Sequence, residues 1–263
     1  TGLLGFVWLY FWNKHYYKPS EHPKLSAAEL AYINSDADAI AEGDALNTKS
    51  FSWAALLKYK QTWAFAIGKL LTDPIWWFYL FWLPDFLGSQ YGLKGTAIAL
   101  PVAAVYSLSV IGSIGGGWIP LKLISKNWPV FRARKTSMLM YAFLVLPILF
   151  AQYLGSINMW LAVLVIGIAA AAHQAWSANI FTTVSDMFPK HTVGSVTGIG
   201  GMFGAIGGIL LSLLVQKNLF VHYRAIGEIE VAYYIMFAVC ALSYLLAWFI
   251  MHLLVPKVNV IED

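Results

Sequence analysis

Charge is what this sequence has least of. Only 11% of its 263 residues are Asp, Glu, Lys or Arg, against roughly 25% in a soluble domain, so too little polar surface is available for an ordinary water-soluble globule. Cysteine is nearly absent as well. Cys240 stands alone in an apolar run, which rules out a disulfide framework, a CxxC pair or a cysteine zinc site. There is no HExxH helix, no Gly-x-Ser-x-Gly elbow and no pair of catalytic aspartates in an apolar stretch, so the familiar motifs of membrane hydrolases are missing. The glycine-rich stretches are not followed by Gly-Lys-Ser/Thr and are not phosphate loops. No cofactor or metal is expected.

Apolar surface is abundant. Hydrophobic residues make up 59% of the chain and aromatics 16%, with 12 Trp, and the mean hydropathy is +0.65. These values describe an all-α membrane protein, with Trp and Tyr suited to the two interfaces. Residues 1–12 form an apolar stretch ending at Asn13-Lys14. Its positive charge follows the stretch, which excludes a signal peptide. Its length of about 18 Å falls short of a hydrocarbon core of about 30 Å. It is expected to be the end of a span. Residues 13–62 are polar, with a Ser26-x-x-Glu29 capping box and a segment around Asp36, Asp38, Glu42 and Asp44 expected to be mobile. Residues 53–62 are amphipathic and suit the membrane surface. Residues 63–254 then hold six expected spans, 63–87, 97–119, 136–154, 159–184, 193–215 and 231–254, leaving 255–263 as a tail.

Lysine and arginine set the orientation. Alternation puts Lys14, Lys18, Lys24, Lys49, Lys58, Lys60, Lys122, Lys126, Arg132, Arg134, Lys135, Lys190 and Lys257 on the side of residues 13–62, and only Lys94, Lys217 and Arg224 on the other. That asymmetry makes the 13–62 segment and the C-terminal tail cytoplasmic. It also accounts for the net charge of +4 without a nucleic-acid partner.

Lys69-x-x-x-Asp73-Pro74, in the first full span, carries the most chemistry. Residues four apart share a helix face. Counted from Trp63, the two charges lie about 9 and 15 Å along the helix, where an ionised group is costly unless it is paired or faces a wet cavity. Pro74 removes a backbone donor and is expected to break the helix. Lys69 can attract an anion while Asp73 orients it; alternatively the two form a structural ion pair. The fourth span carries His173, Gln174, Trp176, Ser177 and Asn179 in seven positions, too polar a set to face lipid throughout. It can hydrogen-bond a polyol and pack an indole on a sugar ring, or simply bridge helices. Glycines from Gly112 to Gly117 and from Gly194 to Gly208 allow close helix approach. The basic loop with Arg132, Arg134 and Lys135 sets topology, or gates through a salt bridge for which Asp186 is the candidate partner.

At these residues the sequence resembles the hexuronate transporters, which belong to the anion:cation symporter family of the major facilitator superfamily. The matching stretches are PSEHPKLS from Pro19, WAFAIGKLLTDPIWWFYLFWLPDFL from Trp63, GSIGGGW from Gly112, AAHQAWSANIFTTVSDMFPK from Ala171 and GSVTGIGGM from Gly194. The resemblance implies the C-terminal six-helix bundle of a bacterial inner-membrane transporter that takes up sugar acids such as glucuronate or galacturonate with a proton. It implies an N-terminal six-helix half as partner, which supplies the proton-coupling carboxylates. It also implies substrate contacts at Lys69 and within 173–179, with Met202 standing where relatives carry a polar side chain. The basic loop lacks the Asp and Gly-Arg-Arg of the superfamily's stronger loop motif. A membrane-embedded enzyme and a non-transporting sensor are the alternatives.

Overall fold

The computed structural model describes residues 2–33 and 52–257, all helices and turns with no strand among them. The chain divides into two units, residues 1–50 and residues 51–262. In the first, helix α1 (Leu4–His15) ends where Tyr16 turns extended. A 3₁₀ turn, Pro19–Glu21, follows. The Ser26 capping box forms: the Glu29 N–H donates to the Ser26 hydroxyl at 3.2 Å and the Ser26 N–H donates to the Glu29 carboxylate at 3.1 Å. The Ser26 N–H also holds the Glu29 carboxyl below its ordinary range, because it bonds the charged form. The Asp36–Asp44 segment lies outside the described residues.

The second unit opens with one helical turn, Trp53–Leu56, capped by the Ser52 side chain. Residues 53–62 therefore do not form one amphipathic helix. The chain kinks at the extended Tyr59, and the Thr62 hydroxyl ties back to the Leu56 carbonyl at 2.6 Å. Six long helices follow: α2 (Lys60–Tyr91), α3 (Ala99–Ile124), α4 (Val130–Val145), α5 (Met159–Met187), α6 (Lys190–Leu211) and α7 (Ile229–Leu254). Their ends follow local rules. Gly92 stops α2 in the left-handed region at φ 66°, a conformation that costs glycine little. Asn158 opens α5 by accepting from the Trp160 N–H at 2.8 Å. Phe188, preceding a proline, closes it in an extended conformation.

Five stretches are long and apolar enough to cross a bilayer: 95–124, 130–157, 159–187, 190–225 and 229–254. Helix α2 is not among them, although its 32 residues extend about 48 Å. Lys69, Asp73 and the indoles of Trp76, Trp77 and Trp82 lower its hydropathy. Six spans read from hydropathy thus become five by composition plus one long helix that carries the charges. The expected break at Pro74 is absent, since α2 runs through both Pro74 and Pro84. The interruption falls instead at Pro147, where α4 gives way to a 3₁₀ stretch, Leu146–Phe150, before helix resumes at Ala151–Ile157. Helix α6 likewise passes into a π-helical stretch, Ser212–Phe220.

Helix α5 is the centre of the bundle and touches α2, α3, α4 and α6. Its apolar window is 61% buried, against 17% for that of α3 and 22% for that of α6. Those two rim helices leave most of their side chains uncovered. Several of their close contacts with neighbouring helices are made at glycine. Side chains at Gly112 and Gly116 would collide with the α5 backbone at Ala171 and Ala175. On α6, a side chain at Gly200 would strike Phe65, one at Gly204 the Asp73 carboxylate, and one at Gly207 the Leu70 carbonyl and Pro74. Leu70 holds the carbonyl that Pro74 deprives of its helical donor, and the glycine face of α6 presses on it. We expect Gly207→Val to destabilise the purified protein by about 1–3 kcal/mol, the usual penalty of overpacking. Gly201→Val, at a position open to 4 Å within this chain, should lower the thermal unfolding midpoint in detergent less than Gly207→Val.

Candidate functional site

Glycine lets α6 lie so close to α2 that its backbone helps to enclose the Lys69–Asp73 pair. The Lys69 ammonium and the Asp73 carboxylate are 2.8 Å apart, with side chains 5% and 23% exposed. Phe181, reaching over from α5, places its ring centroid 4.0 Å from the Lys69 nitrogen, a cation–π distance. The enclosed charge pair is therefore bounded by three elements: its own helix, the aromatic edge of α5 and the glycine face of α6. An ammonium has three donors, and Asp73 is the acceptor assigned to it among the described residues.

The α5 cluster divides into two sets. His173, Trp176 and Asn179 are buried. Their ties are internal: His173 Nδ1 shares a 2.6 Å hydrogen bond with the Tyr244 hydroxyl of α7, and its ring stacks on Trp76 at 5.1 Å. Trp176 meets Tyr244 edge-on at 5.5 Å, and its indole N–H finds no acceptor among the described residues. Asn179 donates to the Gly116 carbonyl at 2.6 Å and to the Ala175 carbonyl at 2.8 Å, binding α3 to α5. Gln174 and Ser177 are half-exposed instead. Helical spacing aligns them with Phe181, which is 39% exposed. On α2, Asp73 and Trp76 are half-buried and Trp77 is exposed. Met202 of α6 is 53% exposed and offers no hydrogen bond to a polyol.

The basic loop also separates into different roles. Arg134 Nε lies 2.8 Å from the Asp186 carboxylate, and its Nη1 donates to the Thr182 hydroxyl at 2.8 Å, joining α4 to the end of α5. Arg132 does not share that carboxylate and rests 5.0 Å over the Trp128 ring. Lys135 donates to the Val255 and Pro256 carbonyls, where its charge meets the negative end of α7.

A second ionic cluster escaped the sequence. Arg224, in the short helix Val221–Ala225, makes hydrogen bonds of 2.8 and 3.1 Å to the two oxygens of Asp85. The Tyr233 hydroxyl donates to Asp85 at 2.5 Å. Helix α2, the short helix Val221–Ala225 and α7 are thereby fastened near one end of the bundle. Asp85 resembles any interfacial carboxylate at a helix end, and 139 positions separate it from Arg224. A double-mutant cycle on Arg134→Gln and Asp186→Asn should give a coupling of about 1 kcal/mol in thermal unfolding, in the range of contacting ionic residues. The same cycle on Arg134 and Asp85, which share no contact, should give none.

The Major Facilitator Superfamily profile matches residues 1–212. The hexuronate transporter of Escherichia coli (strain K12) is 26% identical over 219 residues, covering 82% of this chain and 49% of that protein. The D-galactonate transporter of Escherichia coli O6:H1 is 24% identical over 222 residues, covering 82% and 50%. The galacturonate transporter of Dickeya chrysanthemi reaches 32% over a shorter stretch of 121 residues, 46% of this chain and 34% of that protein. The chain spans about half the length of the first two relatives. With a profile match over most of its length and apolar helices stacked around α5, this chain is a multi-pass membrane protein and belongs to the Major Facilitator Superfamily.

Proposed function

We propose that this chain is the C-terminal half of a proton-coupled symporter for sugar acids, with Lys69 as the residue that receives the substrate carboxylate. The observation that carries the proposal is the enclosed Lys69–Asp73 pair. Burying two charges costs several kcal/mol per ion before their attraction repays it, and a hydrophobic pair would hold α2 as well. An ion pair whose anionic member is partly exposed can exchange partners. An incoming carboxylate takes the place of Asp73 on Lys69, and Asp73 then accepts from sugar hydroxyls. Gln174 and Ser177 supply further donors and acceptors on the half-exposed face of α5, and Trp76 and Trp77 supply apolar ring surface. His173, Trp176 and Asn179 lie behind that face, holding α5 in register.

The relatives named above are transporters of hexuronate, galactonate and galacturonate, which favours transport over a membrane-bound enzyme or a sensor. Helix α2 is taken as the sixth span, and residues 1–12 as the end of a preceding one. An N-terminal half covers the open faces of α3 and α6 and supplies the proton-carrying carboxylates. Rocking of the two halves about the site alternates its access. The Arg134–Asp186 bridge acts as a gate on the cytoplasmic side of a bacterial inner membrane, with residues 13–62 and 255–263 on that side.

In proteoliposomes of the full-length protein, Lys69→Gln should lower labelled glucuronate uptake at least tenfold at unchanged expression. Unchanged uptake would remove Lys69 from the site. Accumulation should collapse on adding a protonophore. Accumulation that persists would overturn proton coupling.

A further inference from the structure

Where α4 begins and α7 ends, the bundle carries a cavity of 430 Å³ whose lining includes Phe131, Leu139 and Trp248. Arg132, Lys135, His252 and Lys257 border the same space. The ion pairs among the described residues take up Lys69, Arg134 and Arg224, so none of these bordering groups is neutralised by a described carboxylate. The walls are held firmly. The Trp248 indole donates to the Lys135 carbonyl at 2.8 Å and pins α7 to α4. His252 stacks on the Trp248 ring at 4.9 Å. Lys135 is anchored on the last carbonyls of the α7 end.

Both helices belong to stretches apolar enough to cross a bilayer, so a cavity at their ends sits at the level of the headgroups. Phe143, one helical turn beyond Leu139 on α4, and Phe249, next to Trp248 on α7, are each 54% exposed. Cations at the mouth and aromatic, aliphatic surface below match an amphiphile with one negative charge. A free phosphate would use the cations and leave the apolar walls bare.

We propose that this cavity binds the headgroup of an anionic phospholipid: Arg132 and Lys257 contact the phosphodiester, the fixed Lys135 ammonium faces it from the wall, and the upper acyl chains lie against Leu139, Phe143 and Phe249. The site is separate from the sugar-acid site and does not depend on the transport reading. It gives Arg132 and Lys135 a role other than gating through Asp186.

The test is native mass spectrometry of the full-length protein released from neutral detergent after titration with phosphatidylglycerol or phosphatidylcholine. Phosphatidylglycerol should be retained selectively. Arg132→Gln combined with Lys257→Gln should weaken that retention about tenfold or more, since each basic residue near a membrane contributes substantially to anionic-lipid attraction. Both side chains are exposed, and the variant's unfolding midpoint should match that of the parent. The control pair Lys58→Gln and Lys60→Gln removes the same charge from exposed positions elsewhere and should keep the lipid. Equal loss in both pairs, equal retention of phosphatidylcholine, or displacement of the lipid by millimolar inorganic phosphate would each overturn the proposal.

Discussion

A lysine and an aspartate one turn apart cannot rest in the interior of a helical bundle unless something encloses them and something else holds them in place. Here the enclosure is made by subtraction. Gly200, Gly204 and Gly207 strip the side chains from one face of α6, so its backbone approaches Phe65, Asp73 and Leu70 directly. The remaining side is closed by Phe181 over the Lys69 ammonium. Each of these features depends on the others. A larger residue on α6 would push the helix off α2, and α6 pushed away would expose the carboxylate together with the Leu70 carbonyl, which Pro74 deprives of its usual helical donor. The charge pair and the glycine stripe are two halves of one arrangement.

The rest of the bundle positions that arrangement. Helix α5 is locked by Asn179 to α3, by His173 to α7 and by Asp186 to α4, which fixes the rotation at which it presents Gln174, Ser177 and Phe181. The polar residues of α5 therefore act at two depths. The buried ones set the helix, and the half-exposed ones face outward from it. At opposite ends of the bundle two further ionic contacts among the described residues, Arg134–Asp186 and Asp85–Arg224, each join elements distant in sequence. Partly exposed pairs of this kind add little to stability, but they are suited to breaking and re-forming as helices shift.

Much of this was legible beforehand. The helix starting at Met159, the capping box at Ser26 and the close approach at the glycines follow from local spacing and from which residues an apolar stretch can tolerate, and Asp186 was legible as a partner for the basic loop, though not which of its cations would take it. Other features depend on packing. Pro74 looks like a break because a proline deletes a hydrogen bond, yet α2 continues through it as one helix packed against the glycines of α6. At Pro147 the helix instead yields to a 3₁₀ stretch. The division of the 173–179 cluster was out of reach because seven consecutive residues turn through almost two helical turns, and only neighbours decide which side is inside. Asp85 with Arg224 joins residues that no periodicity connects.

The account rests on Lys69 and Asp73 being an anion site rather than a staple, and one neutral substitution separates the two. The double variant Lys69→Met/Asp73→Asn removes both charges at nearly unchanged volume and leaves no uncompensated buried charge, which is what destabilises when one partner alone is removed. Calorimetric titration of the folded full-length variant with glucuronate should show no binding, while its unfolding midpoint stays at or above that of the parent. Glucuronate binding of parental strength in that variant would contradict the account.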